Sequence, residues 1–207
     1  MERIKSILWI IAPDRNCKPV LKPAVALVEK NQASLTVIFM IEHLTVIIEI
    51  LASDATPTEL QAIVMREYEQ QTASMVEPYR KKISIEIKIL QGIPFLEIVR
   101  QVLRCKHNLV IKMVEEQSWL NRLLGSDDMH LLRKCPCPVL LIQLEAPEAY
   151  RCILAAVDAS DDYPQQELQT RRTLNQKILE IAGTLALSKF AALHIVHVWD
   201  VPQVRIP

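Results

Sequence analysis

Hydrophobic and polar positions follow two recurring patterns along residues 1–146. Continuous apolar runs at Lys5–Ala12 and Ala33–Glu42 are typical of strands buried on both faces of a parallel sheet. Ser84–Leu90 is apolar at every second residue, which predicts a strand with one more exposed face. The amphipathic stretches between the runs predict helices at Pro19–Lys30, Pro57–Lys82 and Phe95–Cys105. Their predicted core residues are Leu60, Val64, Met75 and Tyr79 in the second helix and Ile98, Val99, Val102 and Leu103 in the third.

The stretch Asn108–Leu144 combines a strand, a polar loop, a helix and a second strand. Ser126 can cap the helix, because its hydroxyl accepts hydrogen bonds from the free amides of the first turn. Asp127 and Asp128 in that turn complement the helix dipole. Two prolines end the helix before the apolar strand Val139–Leu144. An amide-rich helix start behind a loop is a place where an α/β protein can hold a phosphate.

The order of these elements predicts an α/β fold with a doubly wound, mainly parallel sheet of five strands. Ligands of such sheets bind beyond the carboxyl ends of the strands, where the strand order reverses. The segments expected at this edge are Ala12–Asp14, Met40–Glu42, Gly92 and the loop Met113–Ser126.

The strand pattern restarts after Glu148. Cys152–Asp158 repeats Ser6–Ala12 at an offset of 146, and Ala191–Asp200 repeats Ala33–Glu42 at an offset of 158. The second copy therefore has a longer first connection. We predict an internal duplication, with a complete domain at residues 1–146 and a partial second domain, one βαβ unit, at residues 147–207.

Composition and charge narrow the function classes. The chain has 207 residues, half of them apolar, and its 24 basic and 24 acidic residues cancel. Nothing electrostatic favours nucleic acid or an anionic membrane as a partner. Five scattered cysteines without a signal peptide indicate a reduced, cytoplasmic protein. The apolar segment Thr36–Ala52 is interrupted by charged residues, which argues against a membrane span, and Thr45–Ala52 fits an apolar loop or a helix.

Few sequence motifs indicate a nucleotide, metal or catalytic site. The chain has three glycines, which exclude a P-loop or a dinucleotide fingerprint. Cys135 and Cys137 lack the second ligand pair of a zinc site and flank a proline at a helix end, so a structural role is favoured over a metal or redox pair. His194 and His197 lie three apart on a strand and face opposite sides, which argues against joint metal binding. No spacing suggests a nucleophile and its base.

The run GSDDMHLLRKCPCPVLLI at Gly125–Ile142 resembles the carboxyl-terminal signature of the universal stress protein family, and residues 3–144 follow the element order of that domain. The restart after Tyr150 resembles a tandem two-domain member, most similar to the E-type branch. The resemblance implies a universal stress protein fold, of the adenine nucleotide alpha hydrolase-like type. It also implies frequent dimerisation through the last strand and a role in bacterial stress survival without an established catalytic activity.

Some members of that family bind ATP through a pattern of Gly, two residues, Gly, nine residues and Gly-Ser or Gly-Thr. Gly125–Ser126 matches the last pair, whereas the first two glycines fall on Lys112 and Glu115. The family's first-strand aspartate falls on Ala12, although the second copy has Asp158. A side chain at a glycine position fills the space that phosphate needs, and Glu115 adds like charge. The resemblance therefore implies a degenerate ATP site.

We expect a non-catalytic stress-response protein that acts through ligand binding and homodimer assembly, without cofactor, metal, nucleic acid or membrane. Residues 138–144 form the expected dimer strand, because an exposed apolar edge seeks a partner. A small apolar ligand beside Met40, Ile41 and Met113 is one hypothesis. The alternative is a switch that still binds ATP, and a hydrolytic α/β enzyme ranks last. The candidate ligand-binding residues are Pro13, Asp14, Met40, Gly92, Gly125 and Ser126.

Overall fold

The structure, a computed structural model, describes residues 4–11, 18–41, 56–114, 127–143 and 150–198. These residues fall into two compact units, one within Glu2–Ala146 and the other within Pro147–Pro207.

In the described part of the first unit, strands and helices alternate along the chain. In order they are β1 (Ser6–Ile11), α1 (Lys18–Asn31), β2 (Ser34–Ile41), α2 (Pro57–Val76), β3 (Ile85–Gln91), α3 (Pro94–Cys105), β4 (Leu109–Val114), α4 (Asp127–Lys134) and β5 (Val139–Gln143). The strands form one parallel sheet in the order β3-β2-β1-β4-β5. The predicted doubly wound α/β fold is confirmed.

Both faces of the sheet are covered by apolar side chains. On one face, Ile7, Trp9 and Ile11 of β1 pack with residues of α1 and α2. On the other face, Leu8 and Ile10 pack with residues of α3 and α4. Successive strand residues point to opposite faces, so β1 contributes to both layers and is buried along almost its whole length. The continuous apolar run in the sequence reflects this double burial.

Local chemistry bounds α2 at both ends. At its start, Thr56 Oγ1 accepts a hydrogen bond from the Glu59 amide at 3.4 Å, and the Glu59 carboxylate accepts one from the Thr56 amide at 3.1 Å. At its end, α2 stops at Val76 and a 3-10 turn, Glu77–Tyr79, follows. The prediction of a continuous helix to Lys82 is wrong, because Pro78 has no amide hydrogen and its ring clashes with the preceding turn.

The predicted core faces of the helices hold with one exception. Ile98 and Val102 of α3 are fully or almost fully buried, as their four-residue spacing predicts. Leu103 is 62 % exposed, so its predicted packing into the core is wrong. One residue further along a helix is about 100° further round its axis, which carries Leu103 away from the sheet. The segment Thr45–Ala52 lies outside the described residues.

The second unit contains β6 (Cys152–Ala156), α5 (Gln165–Lys189) and β7 (Ala192–Val196), and its two strands pair in parallel. Cys152 pairs with Ala192 just as Ser6 pairs with Ser34 in the first unit. Cys152 follows Ser6 by 146 positions, and Ala192 follows Ser34 by 158 positions. These are the two offsets of the sequence repeat.

The helix ends that precede β2 and β7 also share their geometry. Gln32 and Phe190, again 158 apart, have left-handed φ angles of 51° and 53°. The next amides donate back into the helix in the same way, Ala33 to the Val28 carbonyl at 3.0 Å and Ala191 to the Ala186 carbonyl at 2.9 Å. The βαβ connection of the second unit thus reproduces the first bond for bond at this corner.

The contrast between Leu131 and Leu132 on α4 tests this packing. Leu131 is 1 % exposed and Leu132 is 40 % exposed. We expect Leu131→Ala to lower the free energy of unfolding by about 2–5 kcal/mol, because it leaves a cavity under the sheet. Leu132→Ala, which removes the same atoms from a half-solvated position, is expected to cost under about 1 kcal/mol. Urea denaturation of both variants measures the difference, and equal losses would contradict the described orientation of α4.

Candidate functional site

The strand order of the first unit reverses between β1 and β4. From β1 the chain adds β2 and β3 on one side, and it later adds β4 and β5 on the other. The crevice beyond the carboxyl ends of β1 and β4 is therefore the place where this architecture holds ligands. Its described boundaries are Ile11, Val114 and the start of α4 at Asp127.

An ion pair joins β4 to α4 beside this crevice. The Lys112 ammonium contacts Asp128 Oδ1 and donates a hydrogen bond to it. The two side chains are 22 % and 12 % exposed, so the pair is mostly shielded from water. Lys112 is two residues after Val110, which packs on the α3 and α4 face, and alternation along the strand directs Lys112 to the same face.

Asp128 lies in the first turn of α4, where free amides and the helix dipole attract negative charge. A carboxylate of the protein thus already supplies negative charge at this helix start. The Lys112 ammonium neutralises that carboxylate, and its side chain spans the space between strand and helix. The two opposite charges therefore meet at the start of α4.

No local sequence pattern predicts this pair. The structure places Lys112 on Asp128, sixteen residues later in the chain. Asp128 was predicted only to complement the helix dipole. Each residue is noticeable by itself, because Lys112 is a charged residue in an apolar strand and Asp128 is an acid in the first turn of a helix. No local sequence pattern indicates that the two side chains contact each other.

The structure places two of the candidate ligand-binding residues, Met40 and Gly92, at the ends of the neighbouring strands β2 and β3. Met40 is buried near the end of β2, among residues of the α3 and α4 face. Gly92 follows β3, the far edge strand, and its amide donates to the Ile41 carbonyl at 3.4 Å. Its φ of +131° explains the glycine, since side-chain-bearing residues rarely adopt this angle. Pro13, Asp14, Gly125 and Ser126 lie outside the described residues.

The apolar side chains proposed to line a small ligand site lie on different faces of the sheet. Met40 belongs to the α3 and α4 face, whereas Ile41 and Met113 pack on the α1 and α2 face. All three are buried. Adjacent strand residues point in opposite directions, so Met40 and Ile41 cannot line one common surface.

A second polar cluster follows β6 in the second unit. Asp158 forms an ion pair with Arg171, and the Arg171 guanidinium stacks on the Tyr163 ring at 3.5 Å. The Asn175 side chain donates to the Asp158 carbonyl at 2.6 Å and accepts from the Asp158 amide at 3.0 Å. The backbone amide of Ser160 donates to the Asp158 carboxylate at 3.2 Å and lowers its pKa, and Arg171 lowers it further.

This cluster holds the carboxylate that the sequence repeat aligns with Ala12. Arg171 and Asn175 are one turn apart on α5, so both reach the same strand end. The sequence analysis singled out Asp158 alone. The four-residue spacing of Arg171 and Asn175 is the signal that could have predicted its partners.

No group of three or more His, Cys, Asp or Glu side chains among the described residues could hold a metal ion. No described helix combines the length and apolar character that crossing a membrane requires.

A double-mutant cycle tests the Lys112–Asp128 pair. We expect Lys112→Ala to lower the free energy of unfolding by about 1–3 kcal/mol, because it leaves the shielded Asp128 carboxylate without its ion-pair partner. The double variant Lys112→Ala, Asp128→Ala is expected to lose less than the sum of the single losses. Urea denaturation measures each value.

The matched control for that cycle is the exposed pair in which Arg80 Nε lies 3.3 Å from the Glu77 carboxylate. Glu77→Ala is expected to cost under about 1 kcal/mol, as exposed ion pairs contribute little. Strict additivity of the Lys112 and Asp128 substitutions would show that the two side chains do not interact.

Comparison with known proteins identifies the family. The profile of the Universal stress protein family matches residues 3–143. Universal stress protein E of Photorhabdus laumondii is 27 % identical over 214 aligned residues, which cover all of this chain and 66 % of that protein. Universal stress protein E of Escherichia coli K12 is also 27 % identical and is covered over 65 % of its length. The chain thus spans about two thirds of the length of these curated relatives.

Solved structures share the fold. A universal stress protein from Archaeoglobus fulgidus superposes with a TM-score of 0.62 at 16 % identity, covering 98 % of this chain and 69 % of the other. UspA from Lactobacillus plantarum superposes with a TM-score of 0.50 at 18 % identity, covering 69 % of this chain and 99 % of the other. The predicted resemblance to the family and to its E-type branch is confirmed, and the chain belongs to the universal stress protein family.

Proposed function

We propose that this chain is a stress-response protein that acts without catalysis, through ligand binding and dimer assembly, and that its first unit does not bind ATP in the manner of its nucleotide-binding relatives. Its proposed compartment is the cytoplasm, in line with the free thiols of Cys105, Cys135, Cys137 and Cys152.

The Lys112–Asp128 pair is the observation that carries this proposal. Lys112 stands where the family's ATP pattern has its first glycine, and its side chain crosses to the helix start that would face a phosphate. Glycine is needed there because it lets backbone approach the ligand. A phosphate would have to compete with the Asp128 carboxylate for both the ammonium and the helix amides, which costs electrostatic energy in a shielded place.

We also propose that residues 147–207 are part of a second universal stress protein domain. The support is the coincidence of the strand register and of the left-handed helix ends with the two sequence offsets. An unrelated βαβ unit would share the parallel pairing but would have no reason to pair the same residues that the sequence repeat aligns with the paired residues of β1 and β2.

The alternative function is a nucleotide-binding switch. The observation that favours it is the Asp158 cluster, because the second unit keeps a carboxylate where the family's first strand has one. In the first unit, Gly125 and Ser126 are also retained in the sequence. Direct titration with ATP separates the two functions.

Calorimetric titration of the full chain with ATP and magnesium tests the loss of the site in the first unit. We expect no saturable heat, for the wild type and for Ser126→Ala alike, because Lys112 and Asp128 already satisfy each other beside the phosphate position. Saturable binding that Ser126→Ala weakens would overturn the proposal and establish the switch. Binding that Ser126→Ala leaves unchanged but Asp158→Asn weakens would assign nucleotide to the second unit.

The dimer proposal rests on the edge of the sheet. Among the described residues β5 pairs only with β4, and Val139–Ile142 are partly exposed. The Val110 amide donates to the Pro138 carbonyl. Backbone direction alternates along a strand, so residues 138, 140 and 142 direct their backbone N–H and C=O groups toward β4, whereas residues 139 and 141 direct theirs away from it. Such an apolar edge favours pairing with a second copy of the strand.

A proline at Leu141 tests this strand. Leu141→Pro removes an outward amide without removing a hydrogen bond to β4, whereas Leu141→Ala keeps that amide. We expect the wild type and Leu141→Ala to be dimers at micromolar concentration and Leu141→Pro to be a monomer by native mass spectrometry. Circular dichroism of each variant verifies that it is folded. A wild-type monomer, or a folded Leu141→Pro dimer, would contradict pairing through β5.

A further inference from the structure

Two cysteines meet in the turn that joins α4 to β5. Cys135 directly follows the last residue of α4, and the chain bends at Pro136 and Cys137 before β5 begins at Val139. The bend brings the Cys135 and Cys137 sulfur atoms to 3.7 Å from each other. Both side chains are partly buried, with enough exposure for a small reagent to reach them.

The two thiols differ in acidity. The Cys137 thiol hydrogen bond lowers the pKa of Cys135 to about 7, burial opposes the change, and the Cys137 backbone amide adds to it. The same hydrogen bond, given to Cys135, raises the pKa of Cys137, and burial raises it further. Cys135 is therefore the nucleophilic sulfur of the pair, and Cys137 keeps its proton beside it.

The sequence alone favours a structural role for this pair, but the 3.7 Å approach of the two sulfurs changes that interpretation. We propose that Cys135 and Cys137 form a redox-active dithiol that a hydroperoxide converts reversibly into an intramolecular disulfide. The Cys135 thiolate attacks one peroxide oxygen, the O–O bond breaks, and hydroxide or an alkoxide leaves, which gives a sulfenic acid. The Cys137 sulfur then attacks the Cys135 sulfur, the S–O bond breaks, and water leaves with the Cys137 proton. The two sulfurs lose two electrons, and the peroxide gains them.

The geometry suits this step because little has to move. The sulfur atoms approach from 3.7 Å to a bond length of about 2.0 Å, and the proline between the two cysteines limits the freedom of the turn. A dithiol reductant reverses the reaction by thiol–disulfide exchange and is itself oxidised to a disulfide. Disulfide formation suits this pair better than metal binding, because the described residues supply no third metal ligand beside the two thiols.

Oxidation would close a covalent ring across the turn between two functional elements. On one side lies α4, which carries Asp128, and on the other lies β5, the proposed dimer strand. The proposal rests on the turn alone, so it stands or falls independently of the nucleotide and dimer proposals.

Peptide mass spectrometry of the full-length chain tests the pair directly. The reduced protein is treated with hydrogen peroxide, the remaining thiols are alkylated, and trypsin then releases Cys135–Arg151, whose only cysteines are the two of interest. We expect this peptide to carry no alkyl group and to be two hydrogen atoms lighter than the free dithiol peptide. After reduction with dithiothreitol and a second alkylation, it is expected to carry two alkyl groups. The exposed Cys152, in the peptide Cys152–Arg171, reports oxidation that follows from exposure alone.

Two matched variants assign the roles of the sulfurs. In Cys137→Ser we expect loss of the disulfide and a dimedone adduct of the sulfenic acid at Cys135. In Cys135→Ser we expect loss of both the disulfide and most of the adduct. The proposal is overturned if Cys152 is oxidised while Cys135–Arg151 keeps both thiols, if the disulfide joins two chains, or if Cys137 alone gives as much adduct as Cys135 alone.

Discussion

The double burial of β1 is the constraint on which the first unit depends. β1 is paired on both sides, with β2 and with β4, and its residues Ile7–Ile11 alternate between two apolar layers. Each such side chain contributes roughly 1.5–3 kcal/mol by leaving water. That gain requires helices on both faces, so the chain must carry α1 and α2 to one side and α3 and α4 to the other. The reversal of strand order beside β1 is the geometric result, and it creates the crevice in which relatives of this fold hold ligands.

A charged residue in such a sheet has to be neutralised. Lys112 lies on the neighbouring strand β4, in register with Ile10, where the sheet faces α4. An isolated ammonium in this position would be costly, and Asp128 offsets the cost from the helix start. An anion at this helix start would therefore have to compete for the two side chains that join α4 to β4.

The two units share the geometry of one βαβ corner. The βαβ corner in the second unit keeps the strand register and the left-handed helix end of the first, although the sequences there share few residues. Left-handed φ at Gln32 and Phe190 is unfavourable for both residue types, so the backbone path, and not the side chain, is what the two units have in common. The polar clusters differ, since the first unit has Ala12 where the second has Asp158 with Arg171 and Asn175.

Much of the fold was predictable from local pattern. Runs that are apolar throughout indicated double burial, and the alternation at Ile85, Ile87 and Ile89 indicated a strand with one more exposed face. Such features depend on side-chain period and on strand length, which the chain carries in itself. The break in α2 at Pro78 was equally local, and the amphipathic pattern past it concealed the break.

The site was predictable only in outline. The predicted doubly wound sheet located the crevice. The Lys112–Asp128 contact, the separation of Met40 from Met113, and the approach of the Cys135 and Cys137 sulfurs depend on three-dimensional placement. Each of these three features depends on the direction in which a side chain points across a sheet or a turn, and the order of residues in the chain does not give that direction. The sequence determined which elements form and which faces they bury, and the tertiary structure decided which side chains meet, because contacts between distant residues exist only once the sheet is assembled.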